Sequence, residues 1–188
     1  MSFLAGKTIL LTGATGGIGA EVARQLSGEG TRLILTGRSA VKLKTLQRQL
    51  AVEPLVYCCD LTRVTEQHAL LQFCQQQGGI DVLINNAGIS QFGLCQQQQF
   101  NDLISINLLV PMQLCQLFLP VLRQRKGQIV NVGSAFGSIG HPGFTGYCAT
   151  KFGLRGFTEA LQRELAGRDI QVKYFAPRAT ETGINSSD

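Results

Sequence analysis

Short apolar runs rich in Val, Ile and Leu alternate along this chain with longer segments whose apolar positions recur every three or four residues. Runs of strand length fall at residues 8–12, 32–36, 55–59, 81–84, 128–132 and 171–175. Apolar at consecutive positions, they suit parallel strands covered on both faces. Helix-period segments lie between them at 17–29, 40–50, 65–77, 97–120 and 146–166, the fourth with a break expected near Asn107. Strands alternating with helices predict βαβ crossovers, and hence an α/β fold with a doubly wound parallel sheet in three layers. Glutamine clusters at 75–77 and 96–99 read as helix-compatible polar surface. With no repeat and no linker, residues 1–188 read as a single domain.

Composition narrows the class. Hydrophobic residues make up 44% of the 188, enough for a sizeable core, and 22 glycines against 5 prolines without a three-residue period mark turns and close backbone approaches. The net charge of +5 suits an anionic ligand such as a phosphorylated cofactor. The basic residues are dispersed and lack interleaved aromatic motifs, so nucleic acid is not an expected partner. Cys58, Cys59, Cys74, Cys95, Cys115 and Cys148 form no CxxC pair and have no His at metal spacing, so a reducing compartment and no metal are expected. The N-terminal stretch lacks a basic n-region and a cleavage site, which points to a cytoplasmic protein. Residues 103–122 carry no charge, but Ser105, Asn107, Gln113 and Gln116 interrupt them and Pro111 and Pro120 punctuate them. They read as a buried or interface helix, and no membrane span is expected.

The first strand feeds Thr12-Gly13-Ala14-Thr15-Gly16-Gly17-Ile18-Gly19 into a helix. A strand, a Gly-rich turn and a helix start bring unpaired N–H groups and the positive end of the helix dipole to one point, where a pyrophosphate can sit. Gly13 permits the tight turn, Gly17 the approach of backbone to phosphate, and Gly19 the packing of helix on sheet. The second strand ends in Leu35-Thr36-Gly37-Arg38-Ser39 without the acid that would bind a ribose 2′-hydroxyl. Arg38 offers a planar fork for a 2′-phosphate and Ser39 a further donor, so NADP(H) is favoured over NAD(H).

Four motifs in order give the chain a resemblance to the short-chain dehydrogenase/reductase family over essentially its whole length. The Gly-rich turn fits both TGxxxGxG and TGxxGxxG; Asn85-Asn86-Ala87-Gly88 matches NNAG of the shorter, single-domain branch; Ser134 and Tyr147-x-x-x-Lys151 follow, with Asn107 upstream. The resemblance implies a Rossmann-type sheet in the order 3-2-1-4-5-6 and a catalytic set of Asn107, Ser134, Tyr147 and Lys151. It also implies cofactor contacts from Gly13, Thr15, Gly16, Gly17, Ile18, Gly19, Asp60, Leu61, Asn85, Ala87, Gly88, Tyr147, Lys151, Pro177, Thr180 and Thr182. Asp60 can equally cap the helix that follows it.

The implied reaction interconverts a small-molecule carbonyl and a secondary alcohol by hydride transfer. Tyr147 and Lys151, at i and i+4, share a helix face. Bringing a phenol from about 10 to near 7 takes about 4 kcal/mol of preferential phenolate stabilisation, for which the lysine ammonium and an oxidised nicotinamide are sources. Ser134 would orient the substrate oxygen, Lys151 would bind the nicotinamide ribose, and Asn107 would hold a water relaying protons to Lys151. His141, in the loop before Tyr147, reads as a solvated loop histidine. Pro177-Arg178 departs from the family's Pro-Gly, and relatives continue past the position of Asp188 with a substrate-covering segment and a seventh strand. The chain therefore reads as C-terminally truncated, and a non-catalytic NAD(P)-binding regulator is the rival function. Leu108, Leu109, Met112, Leu114, Leu117, Phe118 and Leu122, with Phe152, Leu154, Phe157 and Leu161, predict a homodimer or homotetramer through the two long helices.

Overall fold

The computed structural model describes residues 4–177. In chain order the elements are β1 (Thr8–Thr12), α1 (Gly17–Ser27), β2 (Arg32–Gly37), α2 (Ala40–Gln49), β3 (Leu55–Cys58), α3 (Val64–Gln76) and β4 (Val82–Asn85). There follow α4 (Phe100–Ile104), α5 (Val110–Gln124), β5 (Gln128–Val132), α6 (Thr145–Glu164) and β6 (Gln171–Phe175), with single 3-10 turns at Cys95–Gln97 and Ala135–Gly137. The strands form one sheet in the order β3-β2-β1-β4-β5-β6, every neighbouring pair parallel. The expected order is therefore present, with strand ends moved by one residue. β4 starts at Val82 and not Asp81, because the Asp81 carboxylate accepts from the Thr8 amide at 2.8 Å and faces Arg125 at 3.3 Å, anchoring the strand's start.

Alternate strand residues serve opposite faces. Ile9, Leu11, Leu33 and Leu35 pack under Ala23 of α1 and Leu43 and Leu46 of α2. Leu10, Ile34, Leu83 and Ile129 pack under Leu70 of α3 and Leu114, Phe118 and Leu122 of α5. Right-handed crossovers require this division, since the chain winds outward from β1 to β3 over one face and returns through β4 to β6 over the other. The winding reverses between β1 and β4, and the loops leaving their C-terminal ends part there to open a crevice.

No break occurs near Asn107. Phe100 to Gln124 is one continuous helix, and Ser105–Leu109 within it is a π-helical segment. The reason lies outside the helix. Asn107 Oδ1 accepts from the Ile89 amide at 2.8 Å, and its Nδ2 donates to the Ile89 carbonyl at 2.8 Å and to Thr150 Oγ1 at 3.2 Å. A residue held on both sides by neighbouring elements is accommodated by one wider turn, the usual setting of a π-bulge. Pro120 likewise sits inside α5 and does not end it.

By length and composition this helix could cross a membrane, yet Leu114, Phe118 and Leu122 are almost wholly buried against the sheet, and Leu103 is buried beside Gly146 of α6. Their burial, with that of Leu154, also corrects the expected assembly face: four of its apolar residues, Leu114, Phe118, Leu122 and Leu154, belong to the core of the single chain. Phe100, Ile104, Leu109 and Phe152 are the large apolar side chains of α4 to α6 that remain exposed among the described residues.

Candidate active site

A cleft of about 530 Å³ lies across the strand ends, from Cys59 and Leu61 beyond β3, past Arg38 beyond β2 and the turn after β1, to Val132 and Gly133 at β5 with Tyr147 and Lys151 of α6. Gly13, Thr15, Gly16, Gly17, Ile18 and Gly19 line its floor, and Ala87 and Gly88 adjoin them. Gly13 has φ +62, and a Cβ there would come within 2.6 Å of the Ala87 Cα. A Cβ on Gly19 would collide with the Gly13 carbonyl oxygen. No side chain caps α1 and its first turn holds no acid, so the first-turn amides face the cleft as donors for an anion.

Asn86 was not among the expected contacts, yet it fixes this turn. Its Nδ2 donates to the Thr12 and Gly13 carbonyls at 3.0 and 3.1 Å, while its own amide and that of Ala87 donate to Thr12 Oγ1 at 3.0 Å each. Asn85, expected at the cofactor, instead points into the core. It is the last residue of β4, and its Nδ2 donates to Asn131 Oδ1 at 2.8 Å. Strand alternation sends the two asparagines to opposite sides.

Two further expected contacts are engaged locally. Ser39 Oγ accepts from the Lys42 amide at 3.3 Å, making it the N-cap of α2, and Ser39 does not line the cleft. Lys42, one turn on, lines the cleft with Arg38, so two cations stand where one was expected. Asp60 spends one carboxylate oxygen on the Thr62 amide and hydroxyl at 3.0 and 2.8 Å, bonds that hold it below the usual carboxylate range. Its neighbours Cys59 and Leu61 line the cleft in its place. Pro177 does not line it, and Arg178, Thr180 and Thr182 lie outside the described residues.

Tyr147 and Lys151 project from one face of α6. The Lys151 ammonium lies 5.6 Å from the Tyr147 ring centroid and donates to the Val132 carbonyl at 3.1 Å. At 5% exposure its charge is poorly hydrated, and burial pushes it down to about 8. The net direction for Tyr147 is opposite to the lowering expected from Lys151 and an oxidised nicotinamide: burial, with Tyr174 and Cys148 nearby, holds the phenol above its ordinary value against a Ser134 hydrogen bond. Asn107 is 1% exposed, and its side chain is occupied by Ile89 and Thr150, so it positions the loop beside Lys151.

Ser134 begins the turn after β5, its Oγ accepting from the Phe136 amide at 3.2 Å. Sequence reasoning missed Tyr174 behind it. The Tyr174 hydroxyl lies 3.4 Å from the Ser134 amide and 3.5 Å from its carbonyl, and the phenol fills the space that a side chain at Gly133 or Gly137 would need. His141 is exposed but not free in solvent: it stacks on Phe136 at 4.9 Å between ring centroids.

An anion-receptive helix start and a Tyr147–Lys151 pair sharing one cleft place the protein among the nucleotide-dependent oxidoreductases of doubly wound α/β type. Comparison with known families narrows this: the model described as short chain dehydrogenase matches residues 7–188, and the chain belongs to that family. It is 37% identical over 186 residues to nodulation protein G of Rhizobium sp. (strain N33), covering 96% of this chain and 76% of that protein. It is 37% identical over 178 residues to a 3-oxoacyl-(acyl-carrier-protein) reductase of Rickettsia bellii, covering 93% and 73%. Among solved structures, a metagenomic short-chain oxidoreductase in complex with NADP aligns with TM-score 0.87 at 33% identity, covering 94% of this chain and 84% of that one. Actinorhodin polyketide ketoreductase with NADPH aligns with TM-score 0.91 at 34% identity, covering 98% and 74%.

Burial of Lys151 makes stability depend on pH. Its folded-state pKa of about 8 lies below the ordinary 10.5, so between these values the unfolded chain holds the extra proton and rising pH favours the native state. The unfolding free energy of the wild type, measured relative to Lys151→Met by urea titration, is expected to increase across that window. A difference that stays flat with pH would mean that Lys151 is not desolvated in the folded protein.

Proposed function

We propose that the chain is an NADP(H)-dependent oxidoreductase interconverting a carbonyl and a secondary alcohol, with Tyr147 as general acid and base. The observation that carries this reading is one cleft with Arg38 and Lys42 on the β2 side and Tyr147 and Lys151 on the β5 side, with Ser134 bonding to Tyr147 beside it. The cradle fits the cofactor: Gly13 and Gly19 bring backbone close, the uncapped start of α1 receives a pyrophosphate, and the two cations suit a 2′-phosphate. Both solved relatives described above carry NADP or NADPH, which supports that choice. When bound, the nicotinamide cofactor supplies the hydride to the carbonyl carbon or takes it from the alcohol carbon.

The chain's residues handle the proton. In reduction, Tyr147 Oη donates to the carbonyl oxygen as it becomes a hydroxyl, and Ser134 Oγ donates a hydrogen bond to the same oxygen. The Lys151 ammonium opposes the phenolate charge left on Tyr147, an effect that grows in so dry a place. Tyr174 holds the backbone of Ser134, and Asn107 holds the loop at Ile89.

NADPH oxidation against a panel of aldehydes, ketones and 3-oxoacyl thioesters tests the activity; tight cofactor binding without turnover would favour a regulator. Tyr147→Phe is expected to keep NADPH affinity while slowing single turnover at least ~10²-fold, the usual loss of a general acid. A variant as fast as the wild type would remove Tyr147 from the mechanism. Arg38→Asp is expected to lower NADPH affinity and narrow or reverse its preference over NADH. Fluorescence titration of both cofactors checks this, and an unchanged affinity ratio would show that Arg38 points elsewhere.

We infer also a symmetric dimer through α4 to α6, since Phe100, Ile104, Leu109 and Phe152 stay exposed on those helices. Leu109→Glu is expected to convert it to monomer in sedimentation equilibrium. A wild type already monomeric at micromolar concentration would defeat the inference.

A further inference from the structure

Tyr147 has two different neighbourhoods. Its phenol and Lys151 adjoin the cleft, whereas the other approach to the phenol is walled by Phe92, Phe136, His141 and Phe144, none of which lines that cleft. Phe136 meets the Tyr147 ring edge-on at 6.2 Å and Phe144 meets it at 6.4 Å. Phe136 and Phe144 are 5.2 Å apart, and Phe92 extends the row 5.3 Å beyond Phe144. The row runs outward to an open surface: Phe92 is 73% exposed, Leu94 near it in sequence is 63% exposed, and Ile139 on the loop of Phe136 and Phe144 is 64% exposed.

The wall is built to hold its shape. Two loops supply it, one after β4 and one after β5, and the Gly93 amide joins them by donating to the Gly143 carbonyl at 2.9 Å. Gln98, buried at 8% exposure, clamps them further: its Nε2 reaches the Gly93 and Gly143 carbonyls at 2.8 and 3.1 Å, and its Oε1 accepts from the Gly146 amide at 2.8 Å. Gly143, at φ +81, leaves the space that the Phe92 ring occupies. Such a surface loses little freedom when a ligand settles on it. The two loops carry no charge of their own, since residues 89–99 and 134–146 contain no Asp, Glu, Lys or Arg, and Arg155 of α6, which donates to Ser138 Oγ at 2.7 Å, is paired with Glu159 at 2.8 Å.

We propose that the substrate presented to Tyr147 is an uncharged ketone on an aromatic or fused ring, its ring packed against Phe92, Phe136 and Phe144. This rests on the carbonyl-reductase reading given above and narrows it. A phosphate-bearing thioester would find no unpaired Lys or Arg among the residues of this wall, Arg155 at Ser138 being held by Glu159, whereas ring edges and faces at these spacings gain from aromatic contact. Phe92, at the open end, sets how large a ring is retained.

The test compares 2-tetralone with acetoacetyl-CoA, each with NADPH, in the wild type, Phe92→Ala and Phe92→Tyr. Phe92 is largely exposed, so its replacement leaves the core intact. The wild type is expected to favour 2-tetralone in kcat/KM. Phe92→Ala should cut that preference about tenfold, within the range a lost apolar contact commands, mainly through KM, and Phe92→Tyr should restore it. Preference for the thioester, or a ratio that Phe92→Ala leaves unmoved, overturns the proposal while leaving the reductase reading standing. Saturation-transfer NMR of 2-tetralone on the NADPH complex separates the two readings. Binding that weakens in Phe92→Ala without any turnover supports the wall and sinks the reductase, and no binding to the wild type sinks the wall.

Discussion

One hydroxyl ties the two halves of the sheet where they diverge. Thr12 Oγ1 donates to the Ile84 carbonyl at 3.3 Å and accepts from the Asn86 and Ala87 amides, so one atom bonds at three points across the place where β1 and the loop leaving β4 part. The ladder between β1 and β4 runs from Ile9 to Leu11, and past it no crossover helix spans the gap, so Thr12 and the Asn86 amide side chain carry the join. The Gly-rich turn, which follows Thr12 directly, inherits its position from these bonds. So does the stretch Ala87 to Ile89 that separates the turn from Lys151. Substituting the hydroxyl would leave two amide donors without this acceptor at the crevice floor.

From that point the order passes along the β4 loop to the reacting groups. Ile89 is gripped through both its amide and its carbonyl by Asn107, and Asn107 stands in the π segment of the long helix. Thr150, its third partner, is next to Lys151 in α6. The wider turn in the helix is thus the local price of letting one buried amide serve two neighbours, and it connects the floor of the crevice to the helix that carries Tyr147. Lys151 is dry because these elements close around it, and its lowered pKa follows from the packing without any nearby cation.

The sequence made the sheet and the reacting residues readable because both are written in local pattern. Strands β1, β5 and β6 fall where the apolar runs place them, and Tyr147 with Lys151 follows from helical spacing. What escaped was whatever depends on direction or on contacts far along the chain. A double asparagine does not say which one faces the core; Asn131, 46 residues on, decides that for Asn85. Ser39 and Asp60 look like ligand contacts from their places after β2 and β3, but Ser39 caps α2, Asp60 bonds to Thr62, and neither lines the cleft. The expected helix break rested on a polar residue in an apolar run, and no local rule reveals that Ile89 answers it. Gln98 sat inside a glutamine cluster with no mark to distinguish its buried side chain from the exposed ones beside it.

Tyr174 behind Ser134 has a consequence for how such a site can change. Its ring occupies volume borrowed from Gly133 and Gly137, on the two sides of the serine. A side chain added at Gly133 meets only the Tyr174 ring, so it must be matched by a smaller residue at 174, and a smaller residue at 174 opens a void beneath the serine unless Gly133 grows. Gly137 has no such exchange, because a Cβ there also meets the Lys151 carbonyl at 2.9 Å. Positions 133 and 174 therefore behave as one inherited unit: this corner of the active site drifts by paired exchange at those two and resists single steps.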